Sequence, residues 1–88
     1  MNKYLANIEK ETLENTDYRR VVFTGRYMQL VLMCLKKEEE IGNEIHGLDQ
    51  FIRVEQGEAK VILNNTEEYE LPADHAVIIP AGTWHNLI

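Results

Sequence analysis

Two histidines and a carboxylate set the chemistry open to this chain. His85 lies in Pro80-Ala81-Gly82-Thr83-Trp84-His85-Asn86, directly after the apolar run Ala76-Val77-Ile78-Ile79. His46 lies upstream in Gly42-Asn43-Glu44-Ile45-His46-Gly47-Leu48-Asp49-Gln50. Each histidine stands beside turn-forming residues. Side chains two apart on an extended strand point the same way, so Glu44 and His46 share a face. Gln50 opens the next strand and can point to the same interior. Imidazole nitrogens and carboxylate oxygens are the usual ligands of divalent transition metals. Two histidines with one carboxylate make an open triad that suits iron, manganese, nickel or zinc. The expected metal ligands are Glu44, His46, Gln50 and His85. Glu44 is also placed to act as a catalytic base rather than a ligand. His75, in a turn, is expected to be structural or exposed, and Trp84 to pack at the rim of the fold. Cys34 reads as a small buried hydrophobe.

Strands must carry these residues. Arg20-Val21-Val22-Phe23-Thr24 is β-branched and aromatic and ends at Gly25. Met28 to Leu35 is apolar on both parities. Its length, and the charged stretch Lys36-Lys37-Glu38-Glu39-Glu40 after it, predict a buried strand followed by a solvated loop. Phe51-Ile52-Arg53-Val54-Glu55 predicts a strand that stops at Gly57. Ala59–Leu63 and Glu67–Leu71 flank Asn64-Asn65-Thr66, and asparagine tolerates positive φ, so this is a hairpin. Pro72-Ala73-Asp74-His75 makes a further turn before the strand Ala76–Ile79. The stretch Leu5 to Asn15 fits a short helix or an irregular edge strand equally well, and Asn15-Thr16-Asp17 reads as a turn. Short strands at this spacing predict a β-sandwich or barrel.

Composition narrows the function class. The chain has 88 residues, enough for one small domain with a modest core. It carries 15 acidic and 9 basic residues, a formal charge of −6. Phosphate backbones repel that sign, so no nucleic-acid partner is expected. No basic amphipathic stretch or long apolar run suggests a membrane partner. One cysteine allows no internal disulfide, and the first residues lack the apolar core of a signal peptide. A reducing, cytoplasmic location follows as an expectation.

The residues around His46 and His85 resemble the cupins, small jelly-roll β-barrels. Pro80, Gly82 and His85 match the family's second motif with its spacing, and Asp74 stands at that motif's leading glycine. In the first motif His46 matches the second histidine, Gln50 stands at the acidic position and Gly57 at the closing glycine. Glu44 stands where the family has its first histidine. The resemblance covers roughly residues 20–88. It implies one all-β cupin domain over 1–88, a double-stranded β-helix whose closing strands would fall after Ile88. It also implies a divalent metal cofactor (Mn, Fe, Ni or Zn) and a small polar substrate or ligand. Glu44-x-His46 with Asp49-Gln50-Phe51 looks like a subgroup of small bacterial cupins described as sugar-phosphate isomerase-like. The implied activity is therefore a metal-dependent isomerase or oxygenase. The alternative is a non-catalytic binding or sensor barrel. Missing closing strands would leave an unpaired edge flanked by Val77, Ile79, Leu87 and Ile88, which predicts either a piece of a longer chain or a homodimer whose partner covers that edge.

Overall fold

The computed structural model describes residues 3–88. The chain divides into two compact units, Met1–Lys36 and Lys37–Ile88.

The first unit holds a helix and a hairpin. Helix α1 spans Ile8–Glu14. Its start is fixed by Asn7, whose side-chain oxygen accepts the Lys10 N–H at 3.1 Å. Glu9 and Glu11 in the first turn oppose the positive end of the helix dipole. The segment that fitted helix or strand is thus helical, and the cap decides it. The buried Asn15 ends the helix: its side chain accepts the Asp17 N–H and donates to the Asp17 carbonyl. Strands β1 (Arg19–Thr24) and β2 (Gln29–Met33) pair antiparallel, with a register shift between Val21 and Phe23. β2 is shorter than the apolar run suggested, and this corrects two expectations. Met28 is well exposed at the hairpin tip, and Cys34 is exposed rather than buried. Cys34 lies just past the end of β2, where its N–H reaches the Asp17 and Tyr18 carbonyls. The backbone holds that position, while the thiol has no packed face to enter.

The second unit is made of strands. β3 (Gln50–Arg53) pairs antiparallel with β6 (Ala76–Ile79). β4 (Glu58–Leu63) lies between β5 (Glu67–Pro72) and β7 (His85–Leu87), antiparallel to both. The β4–β5 hairpin turns at Asn64 and Asn65, with φ of 52° and 61°. Asp74 also adopts a positive φ, 66°, where the family pattern places a glycine. Val61, Leu71, Ile79 and Leu87 form the buried core, with Ile52, Val77 and four other apolar residues packed on it. Strand alternation explains the choice. In β3–β6, Ile52 pairs with Val77 facing inward, while Phe51 pairs with Ile78 facing outward and exposed.

The architecture is the small, mostly β jelly-roll that the sequence implied. The apolar edge expected beside His85 is not found among the described residues. Ile79 and Leu87 are core, and Val77 is half-buried. The outer side of β7 is covered by the chain itself: the Ile41 N–H reaches the Leu87 carbonyl at 3.0 Å, and Glu44 pairs with His85.

One electrostatic feature sits on the β4–β5 surface. Glu58 hydrogen-bonds Glu70, and that bond together with the like charge holds the Glu58 carboxyl above its ordinary 4.5. A raised carboxyl pKa favours the protonated form in the folded state. Its stabilisation is complete below the unfolded pKa and is lost as pH rises through the raised value. Glu58→Gln should therefore gain thermal stability relative to the parent as pH rises from about 4 to about 7. Parallel melts at the two pH values check this, and a gain confined to the acid side would contradict it.

Candidate metal centre

Backbone pairing brings the candidate ligands together. Glu44 and His85 form an isolated antiparallel bridge. Each donates its N–H to the other's carbonyl, at 2.8 and 2.9 Å. Directly opposed residues in such a pair project to one side. His46 follows two residues after Glu44 and lies on that side too. Its ring centroid is 5.3 Å from that of His85, and its Nε2 is 2.9 Å from Glu44 Oε2. One ligand atom from each of Glu44, His46 and His85 lies within 4.8 Å of the others.

The turn before His85 supplies its position. Pro80 has no N–H to place, and Gly82 takes a φ of 79°, a conformation that L side chains rarely adopt. The Gly82 N–H reaches the His46 carbonyl at 2.8 Å, tying the two histidine segments together. A Cβ at Gly82 would meet nothing within 4 Å, so a substitution there is opposed by backbone strain alone. Gly82→Ala should cost about 1–2 kcal/mol, read as a lower melting temperature in the metal-free protein. No loss would show that the turn relaxes freely.

The two histidines differ in environment. His85 is 2% exposed, and its Nδ1 lies 3.0 Å from the Thr83 carbonyl. A carbonyl only accepts, so Nδ1 carries the proton and Nε2 is left with its lone pair. That Nε2 is buried and has no hydrogen-bond partner among the described residues. The side chains of His46 and Glu44 are 48% and 41% exposed, so the site opens to solvent on their side. Gln50 begins β3, half-buried, and its Oε1 is likewise buried without a partner among the described residues. Two buried acceptors without donors are costly unless something with positive charge or a proton meets them. The donor set of two imidazole nitrogens and a carboxylate fits a divalent transition metal.

Of the expected ligands, Glu44, His46 and His85 are brought together, while Gln50 is placed at the start of β3 with its oxygen buried and unpartnered among the described residues. Trp84, next to His85, is 44% exposed, and the exposed His75 bonds the carbonyl of Ala73. An open groove of about 430 Å³ in the first unit is lined by Tyr4, Glu11 and Arg20, among others, and contains none of the four ligands. Spacing had no means to reveal the Thr83 carbonyl behind His85, because a backbone acceptor carries no residue signature. The side chain of Asp49, which accepts the Ala81 N–H at 2.8 Å, was also missed. Its only signal was an acidic residue beside a candidate ligand.

Comparison with known proteins agrees with the fold that carries this site. The chain is 46% identical to an uncharacterized protein of Acanthamoeba polyphaga mimivirus over 97% of its own length and 55% of that protein. It is 38% identical to the uncharacterized protein YrkC of Bacillus subtilis (strain 168), over 97% of its length and 49% of YrkC. The chain thus spans about half the length of these relatives. The crystal structure of BH2720 from Bacillus halodurans superposes with a TM-score of 0.93 at 43% identity, covering 98% of this chain and 70% of that one. The family model described as "Cupin domain" matches residues 31–88, a stretch that contains all four candidate ligands. With that match over more than half its length, this chain belongs to the cupin family.

Proposed function

We propose that this chain binds one divalent metal through Glu44, His46 and His85, with Gln50 as a fourth donor, and acts on a small polar molecule. The observation that carries the reading is the buried Nε2 of His85, without a hydrogen-bond partner among the described residues, on a ring oriented by the Thr83 carbonyl and with one nitrogen within 4.8 Å of ligand atoms from His46 and Glu44. A bound metal would supply Lewis-acid polarisation of a carbonyl or hydroxyl, the chemistry that sugar isomerisation requires. The protein's own contribution is to fix the His85 tautomer, to hold Glu44 where it can ligate or take a proton, and to keep the His85 side dry. Elemental analysis of purified protein, followed by calorimetric titration of Ni or Mn into metal-free protein, tests this. About one metal per chain is expected, and no binding at millimolar metal overturns it.

A second reading is favoured by the hydrogen bond between Glu44 and His46. A carboxylate engaged there is not free to act as a base, and the barrel would then only hold its ligand. Metal-dependent turnover of sugar phosphates, or oxygen consumption, supports the enzyme. Metal binding without either supports the sensor.

A further inference from the structure

We propose that Asp49 is a positioning residue of this site: its carboxylate pins the turn before His85 to the segment that carries His46 and so sets where His85 Nε2 stands. The inference rests on the metal-binding reading above and adds a residue outside the ligand set.

Four hydrogen bonds join the segment 44–49 to the segment 81–85. The Ala81 N–H donates to Asp49 Oδ1 at 2.8 Å. The Gly82 N–H donates to the His46 carbonyl at 2.8 Å, and Glu44 and His85 exchange the other two. Three of the four are backbone to backbone and survive any side-chain substitution that leaves the fold intact. The Asp49 bond alone depends on a side chain. The turn is flanked by other anchors, the pairing of Ile79 with Gln50 before it and, after it, the Asn64 N–H on the Trp84 carbonyl at 2.7 Å and the pairing of His85 with Leu63, but within the turn itself donors are few. Pro80 has no N–H, and the Thr83 N–H turns back to the Pro80 carbonyl at 3.3 Å. Ala81 and Gly82 are therefore the turn's outward donors, and both are spent on the His46–Asp49 segment. The carbonyl that orients the His85 ring belongs to Thr83, in the same turn. A shift of the turn thus moves the ring and its tautomer-fixing partner together. Groups that orient ligands without touching the metal influence affinity strongly, by about 10–100-fold.

The test compares Asp49→Ala with Asp49→Asn, which keeps an acceptor oxygen and loses the charge. In metal-free protein, hydrogen exchange at the Ala81 amide should speed up by about tenfold or more in D49A and stay near the parent rate in D49N. Calorimetric titration with Ni should show about tenfold weaker binding for D49A and near-parental binding for D49N. Bound Co(II) should give an altered visible spectrum in D49A and a restored one in D49N. If D49A binds as tightly as the parent with an unchanged spectrum, Asp49 does not position the site. If D49N is as weak as D49A, charge rather than hydrogen bonding is responsible, and the proposal also fails. A parent chain that binds no metal refutes the functional reading. The Ala81 exchange rates then still decide whether Asp49 holds the turn.

Discussion

A divalent metal at a hundredfold excess over its dissociation constant should stabilise this protein by about 2.7 kcal/mol. For a domain of this size, each kcal/mol moves the melting temperature by about 4–8 °C. The expected upward shift is therefore about 10–20 °C. The physical basis is that the ligand atoms of Glu44, His46 and His85 converge only in the folded chain. An ion that binds there and not to the unfolded chain adds its binding free energy to folding. The shift should shrink in acid, because imidazole must be free of its proton to ligate. Differential scanning calorimetry with Ni, Mn, Zn and chelator at two pH values measures it. A melt that ignores every metal at neutral pH would mean that the histidines serve structure alone.

Replacing His85 should have the largest effect on the site itself. His85→Ala removes an imidazole whose Nε2 is already dehydrated and aimed. Loss of an outer partner costs about 10–100-fold in metal affinity, so loss of this ligand should cost about 100-fold or more. The alanine also leaves a space where a 2%-exposed ring stood, and the metal-free protein should melt lower. His85→Gln separates the two effects, since it fills much of that space but offers a weaker donor. Both variants should lose affinity, and the glutamine variant should keep more of the parent's metal-free stability. Affinity within about threefold of the parent in both would remove His85 from the ligand set. Gln50→Ala should weaken binding less, because an amide oxygen donates more weakly than imidazole.

The strands of the second unit were legible because their signals are local. Asn64-Asn65 between two alternating runs marks its own hairpin, and both residues take the positive φ that asparagine tolerates. Asp74 and the Pro80–Gly82 turn behaved in the same way. The site was legible through spacing: Glu44-x-His46 shares a face by alternation, and the Pro-x-Gly turn sets the distance to His85. What remained hidden was non-local. The outer side of β7 is closed by Ile41 and Glu44, and the extended segment expected to carry Glu44 and His46 forms only an isolated bridge there rather than a strand. Cys34 was misjudged because an apolar run does not announce where its strand ends. The helix at Ile8–Glu14 needed the cap geometry of Asn7 to be told from an edge strand.

The bridge between Glu44 and His85 carries a consequence for the order of events during folding. Nearly half of the chain lies between the two residues, and β3, β4, β5 and β6 all form within that span. Closing so long a loop costs entropy that only the intervening sheets can offset, and such non-local pairings set slow rates, on the order of milliseconds to seconds. The site therefore assembles late, after the β4–β5 hairpin whose contacts are local. In a refolding experiment, recovery of metal capture should follow completion of the whole second unit rather than the early appearance of its strands.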